Sequence, residues 1–225
     1  MKIGVVTAMP IELAYILEQV TVKEEIKMNR NTFYVAEYEG NELVMVTSGV
    51  SKTNAVTYTQ MLIDHFKPAC VFNLGIAGGL KQGLKPADIV VGEFYSHHDV
   101  KINQMEELFP YISKFETNEL LLDFVSENME EVIKGGIVSG ERFVESNEQR
   151  DQIIRDFGAS AVDMESSAIA HCCYINQLPF MAIRGISDLA DDSAKDTYDF
   201  NEKFVSDKVG KSFLKMIALK QLKSE

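Results

Sequence analysis

Cysteine is scarce in this sequence: Cys70, Cys172 and Cys173 are all that 225 residues contain. An odd count with an adjacent pair does not make a disulfide framework. The thiols are therefore expected to be reduced and buried, in a cytoplasmic protein. Long apolar runs are missing too, and no stretch approaches the roughly eighteen residues of a membrane span. The opening MKIGVVTAMPIE is apolar over too short a length and carries Pro10 and Glu12, so it reads as a first strand and not a leader. Positive charge is in deficit: 22 Lys and Arg against 34 Asp and Glu give a formal net charge of −12. A phosphate backbone repels such a chain, so nucleic acid is not an expected partner and a small neutral or cationic ligand fits better. Repeats, low-complexity stretches and linkers are absent. What is present is an ordinary globular composition, 46% hydrophobic and 25% charged, sized for one α/β domain over residues 1–225.

Periodicity places the elements. Residues 2–8 form an apolar strand, and Pro10 opens a helix through IELAYILEQV. Residues 32–38 and 42–48 read as a hairpin turning at EGNE. Ser51 caps a helix striped by Ala55, Thr59, Leu62 and Phe66. ACVFNLGIAGG and DIVVGEFYS read as strands, residues 100–116 as irregular, and a helix follows near 117–128. Strands GGIVSGERF, SAVDM and PFMAIRGIS then alternate with helices EQRDQIIRDF and ESSAIAHCCYIN. A last helix over roughly 201–221 is striped by Val205, Val209, Phe213 and Met216. Strands interleaved with helices imply a largely parallel, buried sheet with helices on both faces. Ligands of such sheets sit beyond the carboxyl ends of the strands.

That rule selects Met9 and Glu12, Ser48 and Gly49, Gly75 to Gly79, Phe143, Asp163 to Glu165, and Ser187 with Asp188. Each acid taken singly has a structural explanation. Glu12 and Glu165 each lie where a helix begins, and a carboxylate there meets the helix dipole favourably. Asp188 in GISDLADD suits a turn, and Met164 suits a gap in the core. Together the three acids are harder to explain, because converging carboxylates repel and are costly to bury unpaired. Cleavage of a glycosidic bond uses such a set: one carboxyl group protonates the leaving group and another activates water. A third carboxylate can accept two hydrogen bonds from a sugar diol. The acid must hold its proton near neutrality, which requires a raised pKa.

IGVVTAMPIE, TSGVSKTNA, NLGIAGGL, IVSGERFV, VDMESSAIA and IRGISDLAD, in this order and spacing, resemble the bacterial 5'-methylthioadenosine/S-adenosylhomocysteine nucleosidase family over nearly the whole chain. The resemblance implies a three-layer nucleoside-phosphorylase-like α/β fold, with a mixed central sheet flanked by helices. It implies hydrolytic release of adenine from 5'-methylthioadenosine and S-adenosylhomocysteine, with 5'-deoxyadenosine a further candidate. Carried over by motif, Glu12 resembles the base that activates water and Asp188 the acid that protonates adenine. Glu165 resembles the ribose-diol acceptor, with Met164 against the sugar. Phe143 resembles the aromatic that stacks on adenine, and Val144 the residue whose backbone reads the base edge. Met9, Val50 and an aromatic at or near Phe200 resemble the pocket for the alkylthio tail. Ser187 stands beside the acid. The family is usually a homodimer whose tail pocket borrows residues from the partner, for which Phe109 and Pro110 are the candidates. The chain departs from the pattern at Ile76, where the family has a small polar residue that helps hold the attacking water. Arg184 matches the family and is expected to orient that water or Glu12. Glu141 and Asp163 exchange one acid for the other.

Three other readings compete. A phosphorolytic purine nucleoside phosphorylase would need cations for phosphate, and neither TAMPIE nor NLGIAGG carries one. A non-catalytic adenine-nucleoside sensor is prompted by Ile76 and opposed by the retained acids. A dinucleotide-binding oxidoreductase would need G-x-G-x-x-G, whereas Gly75, Gly78 and Gly79 are spaced G-x-x-G-G. No metal or other cofactor is expected: His97, His98 and Asp99 are adjacent, and neighbours on a strand point to opposite faces. His65 and His171 read as helical residues with no partner. Cys172 and Cys173 have no cation close in sequence, so no reactive thiol is expected.

Overall fold

The computed structural model describes residues 1–129 and 131–219. In chain order its elements are β1 (Lys2–Thr7), α1 (Pro10–Gln19), β2 (Thr21–Met28), β3 (Asn31–Tyr38), β4 (Asn41–Thr47) and α2 (Lys52–Phe66). There follow β5 (Cys70–Gly79), β6 (Ile89–His97), α3 (Ile102–Glu107), β7 (Phe115–Glu116), α4 (Glu119–Asn128) and β8 (Val132–Ser139). The chain continues through α5 (Asn147–Phe157), β9 (Ala161–Asp163), α6 (Ser166–Ile175), β10 (Phe180–Asp188) and α7 (Ala194–Leu219).

The alternation within β1 shows why the molecule is layered. Ile3 and Val5 join a core with Leu13, Ile16, Phe72 and Phe213, while Val6 joins a second core with Ala55, Leu62 and Ile169. A strand apolar on both faces needs a helical layer on each. Helices α1 and α7 supply one layer and α2 and α6 the other. The stripe Val205, Val209, Phe213 and Met216 is buried, and Phe213 meets the Phe72 ring edge-on at 5.2 Å.

The strands run β10-β6-β8-β9-β5-β1-β4-β3-β2, and β10 also pairs with β5. Strands β5, β10, β6, β8 and β9 thus close a ring, from which β1, β4, β3 and β2 extend as an open wing. Among the described residues five strand pairings are parallel and five antiparallel. The largely parallel sheet read from strand–helix alternation is therefore corrected to a mixed one. Short turns make the β2–β3–β4 meander antiparallel, and β6 runs antiparallel to β10 because the ring closes on it.

Other expectations also shift. The hairpin has a third strand, β2, which TVKEEIKM conceals because it carries charge along an exposed edge, where Lys and Glu guard against edge-to-edge pairing. The irregular stretch at 100–116 contains α3, whose residues are all at least partly exposed, so no apolar period announces it. The last helix begins at Ala194, seven residues before the expected start near 201, and residues 220–221 lie outside the described residues. No described helix is long and apolar enough to cross a membrane.

Candidate active site

Glu12 is the third residue of α1, and its carboxylate turns back over the helix start. Its Oε2 accepts from the backbone N–H of Ala8 at 2.8 Å and of Met9 at 2.9 Å. That is the helix-start role expected of an acid here. The other oxygen reaches further, accepting from the backbone N–H of Ile76 at 3.0 Å. The residue is 3% exposed and lines a cavity, which helix capping alone does not require. Burial raises its pKa, while the Arg184 charge and the three N–H donors pull it down.

Asp163 and Glu165 divide the duties at the start of α6. Asp163 caps the helix: it accepts the N–H groups of Glu165 and Ser166 and the hydroxyls of Ser139 and Ser166. Glu165 occupies the N-cap position but makes no capping bond with its side chain. Its Oε1 instead accepts the Ser51 N–H at 2.9 Å. Ser51 adopts φ 106°, a conformation costing a non-glycine residue about 1–3 kcal/mol. Freed from capping, Glu165 lines the cavity. Burial, then the Asp163 charge, push its carboxyl up to about 7 against the pull of Arg184.

Arg184 lies beneath the cavity, fully buried among these acids. It is 2.7 Å from Asp163, 3.9 Å from Glu165 and 4.0 Å from Glu12. Its Nη1 has no hydrogen-bond partner among the described residues. Gly75 makes room for this cluster, since a Cβ there would collide with both Arg184 Nη1 and Glu12 Oε1.

Asp188 ends β10. Its Oδ1 accepts the Ala190 N–H at 2.8 Å, the turn expected of aspartate, and its Oδ2 accepts the Ser187 hydroxyl at 2.7 Å. It is 1% exposed and also lines the cavity. Burial raises its pKa, opposed by those two hydrogen bonds.

The cavity measures about 390 Å³. It gathers Met9, Glu12, Val50, Ile76, Phe143, Met164, Glu165, Ser187 and Asp188 from the residues expected on sequence. Val144 lines a smaller recess beside it with Phe143, Met164 and Asp188. The side chain of Phe200 lies outside the described residues. The aromatic found near that position is Tyr198, whose ring meets Phe143 edge-on at 5.7 Å and whose hydroxyl donates to Met9 Sδ at 3.3 Å. Lys195, Asp199 and Glu145 also line the cavity and were not singled out on sequence. Sequence periodicity predicts no helix over 195–199, so the i, i+3, i+4 spacing that puts 195, 198 and 199 on one face becomes visible only with the start of α7 at Ala194. Phe109 and Pro110 do not line it, and Phe109 is 66% exposed.

The histidine reading needs correcting. His171 does have partners: its ring stacks on Phe115 at 4.6 Å and lies 5.8 Å from His97. Burial, chiefly, lowers His97 to about 4, and its Nδ1 pairs with the Ser167 hydroxyl at 2.9 Å. Among the described residues no three His, Cys, Asp or Glu side chains cluster as a metal site. Burial pushes the Cys172 thiol up to about 11 and Cys70 to about 12, so both stay protonated.

Comparison with known proteins bears on the family and the fold. A family model described as the phosphorylase superfamily matches residues 2–220. The chain is 33% identical to the 5'-methylthioadenosine/S-adenosylhomocysteine nucleosidase of Buchnera aphidicola from Acyrthosiphon pisum, over 96% of this chain and 97% of that one. The nucleosidase of Neisseria meningitidis, solved with methylthio-immucillin-A, superposes with a TM-score of 0.91 at 31% identity, covering 97% of this chain and 99% of that one. The futalosine hydrolase of Helicobacter pylori superposes equally well, with a TM-score of 0.91 at 30% identity and 98% coverage of both chains. On this evidence of sequence and shape the chain belongs to the phosphorylase superfamily, and within it to the 5'-methylthioadenosine/S-adenosylhomocysteine nucleosidase family.

Proposed function

We propose that this protein hydrolyses the N-glycosidic bond of 5'-methylthioadenosine and S-adenosylhomocysteine and releases adenine. Asp188 protonates adenine at N7 as the bond to C1' breaks. Glu12 takes a proton from the water that attacks C1'. Glu165 accepts the two ribose hydroxyls, Met164 lies against the sugar, and Phe143 stacks on the base beside Val144. Met9, Val50 and Tyr198 wall the alkylthio tail. Ile76 offers a backbone N–H to Glu12 and no side-chain donor, so support for the water falls to Glu12 and Arg184.

The observation that carries hydrolysis over phosphorolysis is the charge around Arg184. One guanidinium faces three carboxyl groups within 4.0 Å, so it has no net positive charge to offer a phosphate. Water, being neutral, meets no such barrier. 5'-Deoxyadenosine fits the same scheme with a shorter tail. A second reading, favoured by the likeness to the Helicobacter pylori futalosine hydrolase, keeps the same acids and takes futalosine. We further infer a homodimer, supported by the exposed apolar group Leu108, Phe109 and Tyr111. There Phe109 and Pro110 would approach the partner's cavity, and a monomer in sedimentation would reject that.

The test is adenine release in phosphate-free buffer and again with phosphate added. Release from 5'-methylthioadenosine without phosphate, together with free methylthioribose, is the expected result. Release only with phosphate would make the protein a phosphorylase. Release from futalosine alone would favour the second reading, and binding without release would leave a sensor.

A further inference from the structure

We propose that Lys195 selects substrates by binding a carboxylate at the far end of the 5' substituent, an inference that rests on the nucleosidase reading above. Among the described residues lining the cavity, Lys195 is the one positively charged side chain, and it is exposed. Glu145 and Asp199 are the exposed acids of the same lining. Lys195, Tyr198 and Asp199 share a face of α7, and the Tyr198 hydroxyl bonds Met9 Sδ at 3.3 Å. This face therefore stands over the apolar wall assigned to the 5' substituent.

Helix formation does not account for the lysine. It sits in the first turn of α7, where the helix dipole repels positive charge. Nor does an internal salt bridge, since Lys195 has no hydrogen bond or ion pair to another described residue. A protein of net charge −12 repels an anionic tail overall, so a local cation is what would admit one. The ligand class is an adenine nucleoside whose 5' substituent ends in a carboxylate. An ammonium on the same tail would face Glu145 and Asp199. The amino-acid tail of S-adenosylhomocysteine carries both charges, and 5'-methylthioadenosine carries neither.

The test uses two synthetic substrates, 5'-deoxy-5'-(2-carboxyethylthio)adenosine and its primary amide, which match in length and differ in charge. The readout is the acid-to-amide ratio of kcat/KM for adenine release. Lys195→Gln is expected to lower this ratio about tenfold, Lys195→Glu to lower it further, and Lys195→Arg to restore most of it. Added salt should lower the ratio for the parent protein and leave it nearly flat in Lys195→Gln. A ratio equal in Lys195→Gln and the parent would overturn the role of Lys195 and leave the nucleosidase reading standing. Failure of the parent to release adenine from either compound or from 5'-methylthioadenosine would overturn both.

Discussion

Asp188 and Glu165 are both carboxylic acids held above their usual pKa by burial, yet the proposed function gives them opposite tasks. In the proposed mechanism Asp188 delivers a proton, and there a raised pKa serves it directly. Asp188→Asn is expected to lower kcat by about a hundredfold to ten-thousandfold while a substrate analogue still binds. Near-normal turnover in that variant would remove Asp188 as the acid. In the same proposal Glu165 accepts hydrogen bonds, and there its proton is a hindrance. Burial pushes its carboxyl up to about 7 in the fold from an ordinary value of 4.5. The folded protein therefore holds this proton more tightly than the unfolded chain does. The stability gained from the protonated form is present at low pH and is lost as pH rises from 4.5 to about 7. Glu165→Gln should remove that loss, raising stability near pH 8 by on the order of 2 kcal/mol and changing little near pH 4. Nucleoside affinity should rise with pH through neutrality in the parent and stay flat in the variant. Thermal unfolding and binding at the two pH values read both effects, and parallel profiles for parent and variant would contradict them.

Elements place these residues through their ends. The middle of β5 also matters, passing so close to Glu12 and Arg184 that Gly75 is the residue that fits. Gly75→Ala should push the two charged groups apart, costing about 1–3 kcal/mol of stability and at least about tenfold in kcat. Urea midpoints and turnover measured on the same preparation decide this, and unchanged kcat would mean that the cluster tolerates displacement. Elements also differ in how plainly they are written. β1, β5 and β10 bury every residue or nearly so and read as continuous apolar runs. α2 and α7 carry apolar stripes and were legible from these. β2 and α3 bury nothing fully, so neither period reached the sequence.

The whole molecule is a ring of strands with an open wing, sandwiched between helices. Pairing of the wing with the ring, β1 against β5, brings the site together: Ile76 donates to Glu12 across 64 positions of sequence, and Ser51 to Glu165 across 114. The sequence by itself determined the α/β class, most element positions, and the three acids and their order, because these depend on side-chain period and on motifs of a few residues. It also carried the resemblance that predicted a mixed sheet. Tertiary structure alone decided that Asp163 caps α6 and so frees Glu165. It likewise decided that Arg184 lies among three acids and that α7 sets Lys195 and Tyr198 over the cavity. These are outcomes of strand pairing and helix docking between segments far apart in the chain, and no local pattern encodes which side chain will face which across such a distance.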